Sequence, residues 1–241
     1  MNRTNPRRLL RLLWVAALVL FVAVWLFPVS NDMTRAADLA LLLVVWFGLI
    51  GLCWRQHALR FSLCGVTLLA GGFLVFPGRS LPAADALRTD YVAGLRRYEG
   101  VNYYWGGESP KGIDCSGLVR RGLIDSLFFR GLRTLDPGLV RRALLLWEDD
   151  ATASALGQQY DGLTVHLFET PGINQLDHTK ILPGDLAVTR DGAHIMAYLG
   201  ENRWIEADPT VGRVITVSVP ANDNDWFCRP MNLVRWNVFS Q

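Results

Sequence analysis

The sequence predicts an α+β domain, helices followed by an antiparallel sheet, carried behind about three membrane-spanning helices. Three observations lead there. Uncharged apolar runs crowd the chain before about residue 78. Apolar residues then recur at helical spacing to about residue 148, and short apolar runs separated by turn residues fill the chain beyond residue 185.

The apolar runs come first. Leu12–Phe27, Leu39–Trp54 and Phe61–Phe76 contain no charged residue, and hydrophobic residues make up 51% of the whole chain. A spanning helix needs roughly 17–25 residues, which the flanking positions supply, so spans of about 12–28, 39–54 and 60–76 are expected. A soluble surface helix would carry a polar stripe, which these runs lack. Trp14, Trp25, Trp46 and Trp54 lie in or at the ends of the runs, and several suit the membrane–water interface.

The arginines give an orientation. Arg3, Arg7, Arg8 and Arg11 precede the first run, and Arg55, His57 and Arg60 join the second to the third. The first loop, "SNDMTRAAD", sets one Arg against Asp32 and Asp38. The positive-inside rule then puts the N-terminus on the cytoplasmic side and everything after Phe76 outside. The first run also has the outline of a secretory signal, with "TRA" ending at Ala36 as a weak cleavage site. A cleaved signal crosses once too, so both readings place the C-terminal domain on the outer side.

Four cysteines make no disulfide framework here, because Cys53 and Cys64 fall in or beside the apolar runs. Cys115 and Cys228 remain, as two free thiols or as one bridge in an oxidising compartment. The net charge of +2 says little about partners, and nothing in the sequence suggests nucleic acid. Residues 1–78 therefore read as a membrane anchor and residues 79–241 as an outer domain.

"FPGRSLP" (76–82) is a linker of turn formers. Leu87, Tyr91, Leu95 and Tyr98 then predict a helix over 83–99, with Gly100 as its stop. "VNYYWGGESPKG" is a glycine-rich loop, and a second helix is expected from Cys115 to about Phe129. Asp136 as cap and Pro137 at the first position open a third helix, with Leu139, Ala143 and Leu146 facing a core. Residues 150–180 show little pattern beyond the short strand "LTVHLF". "DLAVT" (185–189), "HIMAYLG" (194–200), "RWIEADP" (203–209) and "RVITVSVP" (213–220) read as a meander, with a late strand at "NLVRW". Trp226, Trp236 and Phe239 read as cover for this sheet.

The chemistry centres on "GIDCSGLV". A free cysteine is mostly protonated at neutral pH, and only its thiolate attacks. A helix N-terminus favours the anion through unpaired amides and a partial positive charge, and Asp114 is a good N-cap that puts Cys115 in the first turn. An imidazole partner would lower the thiol further, and His194, at the head of an apolar strand, is the best of four histidines. Glu206 and Asp208 are both candidates to orient that ring. His194, Glu206 and Asp208 share a sheet face if the hairpin register is even. A strict two-residue "EN" turn would give an odd register and separate them.

With "LPGDLAV", "GAHIMAYLG" and "RWIEADP" following "YYWGGESPKGIDCSGLV", the ordered set resembles the NlpC/P60 cysteine peptidases of bacterial cell walls, over roughly residues 84–220. The resemblance implies a papain-like α+β domain that cuts amide bonds in peptidoglycan stem peptides or cross-links, commonly the γ-D-glutamyl–diamino-acid bond. It implies Cys115 as nucleophile and His194 as base, with Tyr103 near the active site and Asp114 and Ser116 toward the substrate. Glu206 stands where the family usually has His, Asn or Gln. The stretch between Cys115 and His194 is longer than the family usually has, so residues 130–180 are an insertion, either a wall over the cleft or a surface addition.

The expected reaction is thioester acyl transfer to water. It uses no cofactor, and no histidine–carboxylate spacing resembles a metal site. Peptidoglycan peptides and the lipid bilayer are the expected partners. Two other readings stand beside it: a membrane-associated amidase or acyltransferase of the same superfamily, recognised by a mass-shifted acceptor, and an inactive wall-binding or scaffolding domain. Selective labelling of Cys115 over Cys228 separates the last from an enzyme.

Overall fold

The computed structural model describes residues 6–79 and 81–240. Arg3, used above for orientation, and Ser80 of the linker lie outside them. Helices α1 (Pro6–Leu26), α2 (Asp32–Leu52) and α3 (His57–Val75) are each long and apolar enough to cross a membrane. They begin earlier than the uncharged runs do, because polar residues such as Arg7 and Asp32 extend each helix by a turn or more. Asn31 caps α2 through a reciprocal pair of bonds with Thr34, both 2.9 Å. The Trp14 indole donates to the Val45 carbonyl at 2.8 Å, and the Trp46 indole reaches the Thr67 hydroxyl at 2.9 Å. These bonds join the three helices where tryptophan side chains would otherwise leave a donor in an apolar layer.

Beyond the linker the fold is α+β. Helix α4 (Ala84–Arg96) lies on α5 (Cys115–Thr134), and α6 (Pro137–Glu148) and the short α7 (Ala153–Gly157) complete the helical layer. Close packing explains two glycines in α5. A Cβ at Gly122 would come within 2.7 Å of Leu95, and one at Gly131 within 2.8 Å of Val140. Gly131 therefore serves the α5–α6 contact instead of ending the helix, and α5 runs past Phe129 to a left-handed cap at Leu135.

A small ribbon, β1 (Glu108–Ser109) and β2 (Gly112–Ile113), precedes α5. The main sheet is antiparallel and contains β3 (Thr164–Thr170), β4 (Leu186–Thr189), β5 (Ile195–Gly200), β6 (Arg203–Asp208), β7 (Arg213–Ser218) and β8 (Met231–Trp236). Its order is β3-β8-β4-β5-β6-β7. The expected meander holds from β4 to β7, but β8 returns between β3 and β4. The stretch 130–180 contributes α6, α7 and the edge strand β3 to this body, and Ser154 of α7 packs against Gly192, two residues before His194. Odd residues of β5 and β6, such as Ile195, Ala197 and Ile205, meet the helices, while even ones, such as Met196 and Trp204, join a second core on the opposite face.

The apolar helices touch this body at two places. At the end of α3, the Arg141 guanidinium donates to the carbonyls of Leu74 at 2.7 Å and Phe76 at 2.6 Å. The α1–α2 turn lies on the glycine-rich loop: Val29 forms an antiparallel bridge with Gly107, and the Ser30 amide donates to the Gly106 carbonyl at 2.7 Å. Next to it, four charges meet. Arg35 bonds Glu108 at 3.0 Å and Asp150 at 3.2 Å, and Arg120 bonds the same two carboxylates at 3.2 and 3.0 Å. Burial pushes the Glu108 carboxyl up to about 7, against the pull of Arg120 and Arg35.

Candidate active site

The start of α5 is built by Asp114. Its backbone is extended, and one carboxylate oxygen accepts from the Gly117 amide at 2.7 Å and from the Ser116 hydroxyl at 3.0 Å. The other oxygen accepts from the Gly106 amide at 2.8 Å. Asp114 therefore caps the helix and ties it to the loop, which places Cys115 in the first turn. There the orphan amides and the helix dipole favour a thiolate. Cys115 is 9% exposed and free, and Cys228 is also free. Tyr103 is half-buried beside the sulfur. Burial and the neighbouring Cys115 and Asp114 push its phenol well above the usual range, so it stays a neutral donor.

His194 is fixed by Thr189 at the end of β4: the Thr189 hydroxyl accepts from the His194 amide at 2.9 Å, and the Thr189 amide donates back to the His194 carbonyl at 3.0 Å. Its Nε2 lies 2.6 Å from Glu206 Oε2. That leaves Nδ1 free on the other edge of the ring, and Cys115 is near enough to raise the imidazole pKa. Burial alone would lower the imidazole pKa. The neighbouring Cys115 and the bond to Glu206 outweigh burial and raise it to about 9. At neutral pH the ring is a cation beside Glu206 and Cys115.

The register that joins these residues comes from a bulge. Glu201 and Asn202 form a tight turn with φ of 53° and 55°, pairing Gly200 with Arg203. On its own this two-residue turn gives the odd register. A shift between Tyr198 and Gly200 inserts one residue, after which Tyr198 pairs with Trp204 and Ala197 with Ile205. The even register returns and Glu206 shares a face with His194. Asp208 does not reach the ring: its carboxylate accepts from the amides of Thr210 at 2.6 Å and Val211 at 3.1 Å, closing the β6–β7 turn.

Two residues outside the sequence candidates complete the arrangement. Asn224 donates from Nδ2 to Glu206 Oε1 at 2.6 Å, and its Oδ1 accepts from the Trp226 amide at 3.0 Å. The same cap turns Trp226 over the histidine, with ring centroids 4.3 Å apart and planes at 22°. Arg229 also lies over that indole, 4.4 Å from its centroid. Trp226 thus covers the imidazole as well as the sheet. The segment "NDNDW" held the signal, a run of Asx residues able to cap a turn just before an aromatic residue.

The geometry brings together a cysteine at a helix start, a cationic imidazole and a buried carboxylate bonded by an amide. Such a site can hold a thiolate, protonate a leaving group and then activate water. Among the described residues no group of His, Cys, Asp and Glu is placed to hold a metal.

The NlpC/P60 family model matches residues 100–127, which include Tyr103, Asp114, Cys115 and Ser116. The resemblance read from the motifs stands on this segment. Similar solved structures include NlpC1 from Trichomonas vaginalis, 19% identical with a TM-score of 0.41, matched over 68% of this chain and 48% of its own. The peptidoglycan hydrolase RipB from Mycobacterium tuberculosis is 21% identical with a TM-score of 0.41, over 68% of this chain and 76% of its own. The P60 domain of an antigen from M. avium subspecies paratuberculosis is 22% identical with a TM-score of 0.37, over 63% and 96%. The chain thus spans about half the length of the Trichomonas protein. No curated protein matches it.

Proposed function

With the NlpC/P60 segment at residues 100–127 as premise, we propose that this chain is a membrane-anchored cysteine peptidase hydrolysing amide bonds in peptidoglycan stem peptides or cross-links. Residues 1–78 form its anchor, with the N-terminus cytoplasmic, and residues 79–241 form its catalytic domain on the outer side. The observation that carries this reading is the buried line from Cys115 through His194 to Glu206.

In this reading Cys115 thiolate adds to the scissile carbonyl, and the oxyanion is received by the Cys115 amide at the helix start, with the neutral Tyr103 hydroxyl as a second donor. The His194 imidazolium gives its proton to the leaving amine as the C–N bond breaks, leaving a thioester on Cys115. Neutral His194 then takes a proton from water, whose oxygen attacks the thioester. The acid product leaves and the thiolate–imidazolium pair is restored. Glu206 holds the ring cationic and correctly turned, in the role an amide or imidazole usually takes in the family. Asp114 and Ser116 face the substrate's amine from the helix start.

Purified muropeptides test the reading. The full chain in detergent should cleave them to products with one new amine and one new acid. Cys115→Ala should abolish cleavage while circular dichroism is unchanged. Cleavage by the alanine variant would overturn the nucleophile assignment, and a mass-shifted acceptor in place of a free acid would mark an acyltransferase.

A further inference from the structure

We infer that the α1–α2 turn is a working part of the active site, with Arg35 as a positioning residue that acts on Cys115 through Glu108 and the glycine-rich loop. The inference rests on the peptidase reading for its kinetic readout and on the geometry alone for its chemical one.

The path is short and made of backbone contacts. Ser30 donates to Gly106, and Val29 bridges Gly107. On the other side of the same loop the Gly106 amide reaches Asp114 at 2.8 Å, and the Asp114 amide donates to the Gly107 carbonyl at 2.9 Å. The loop is also pressed against the helix: a Cβ at Gly117 would come within 2.1 Å of that Gly107 carbonyl. One strip of two glycines therefore separates the turn from the first turn of α5, and it has no slack on either face.

Arg35 locks this strip from the anchor side. It bonds the Ser30 hydroxyl at 3.0 Å and the Ser30 carbonyl at 3.1 Å, which fixes the turn, and it bonds Glu108, the residue after Gly107. The other oxygen of Glu108 lies 3.2 Å from the Arg120 guanidinium, on α5 itself, as an ion pair. The loop is thus gripped between a guanidinium from the membrane helices and one from the nucleophile's helix. The side chains of Arg35, Glu108 and Arg120 are 4%, 3% and 2% exposed. In so dry a setting one missing partner leaves a charge that the neighbours must move to resolve. The Cys115 amide and sulfur sit at the end of that movement, where a displacement of about 1 Å is enough to slow catalysis by about a hundredfold. A surface ion pair merely holding the anchor in place would have no such reach, since exposed pairs contribute little.

The test uses the full chain in lipid nanodiscs, with Arg35→Met, Arg35→Lys and Ser30→Pro, each assayed at a temperature where circular dichroism shows it folded. Two rates are read: kcat and KM on a soluble muropeptide, and alkylation of Cys115 by iodoacetamide, followed by mass spectrometry. Arg35→Met should lower kcat and the alkylation rate together by about tenfold or more while KM stays within about twofold, and Arg35→Lys should restore part of both. Ser30→Pro removes the amide that bonds Gly106 and the hydroxyl that Arg35 reaches; it should lower both rates in the same direction, so it decides the matter if Arg35→Met does not fold. Unchanged kcat and alkylation in the folded variants would overturn the inference, whatever happens to melting temperature. If the wild-type chain alkylates but cleaves nothing, the peptidase reading fails, and the ratio of alkylation rates still judges the role of Arg35.

Discussion

His194 Nε2 and Glu206 Oε2 stand 2.6 Å apart on neighbouring parts of the sheet, with 1% and 0% of their side chains exposed. A carboxylate this close and this dry holds a proton on the ring far more firmly than a neutral amide would. With the imidazole raised to about 9, the acid form that would serve a leaving amine in the proposed reaction persists through neutral pH. The alkaline limb of kcat should therefore fall near pH 9, and Glu206→Gln should move that limb to lower pH. Linkage gives the same pair a stability signature. A histidine raised from 6.5 to about 9 stabilises the fold fully below about 6.5, and this is lost as pH rises through about 9. Melting temperature should fall over that window in the wild type and less so in Glu206→Gln.

Asn224 fills the second oxygen of Glu206. Asn224→Ala leaves that oxygen buried without a partner, at a cost of about 1–3 kcal/mol, and should lower both melting temperature and kcat. Asn224→Asp should be worse, because it sets a second carboxylate beside the first. Urea melts and steady-state kinetics read both effects.

Trp226 lies flat on the imidazole. Stacked aromatic pairs contribute about 0.5–1.5 kcal/mol beyond area burial, so Trp226→Ala should reduce kcat/KM by about two- to tenfold as water reaches the ring. Trp226→Phe should recover most of the loss. Equal activity in the alanine variant would remove Trp226 from the site.

Arg120 joins Glu108 and Asp150 and also donates to the Leu146 carbonyl at 3.0 Å. Removing one partner of a buried pair costs about 3–5 kcal/mol, so Arg120→Met should destabilise the chain strongly by chemical denaturation. Arg120→Met combined with Glu108→Leu should not recover the loss, because the buried Arg35 then loses Glu108 and keeps only Asp150.

The parts of this structure that were legible in the sequence are those written locally. Asp114 and Asp136 are caps, Leu87–Tyr91–Leu95 keeps helical spacing, and β4 to β7 alternate between turn residues, so the helices and most strands follow from short windows. The apolar runs were equally plain. What was not legible depends on partners far away in the chain. The length of α5 is decided by Val140 packing onto Gly131, and the place of β8 by strands on either side of it. The site shows the same division. Cys115 announces itself through its cap, whereas the meeting of His194 with Glu206 depends on a bulge at Leu199 that carries no signature of its own. Asn224 and Trp226 lie in a segment that looks like an ordinary surface turn until it is folded over the sheet.

Two attachments, at the α1–α2 turn and at the end of α3, deny the α+β body the swivel of a protein on a flexible stalk. In the proposed reading, with the apolar helices in a bilayer, the cleft would keep one altitude and one bearing and would meet its bonds by lateral drift, as a plane iron meets wood. Crowding in the leaflet, rather than concentration in the surrounding fluid, would then govern how often it cuts, and only the innermost stratum of a wall would come within its stroke.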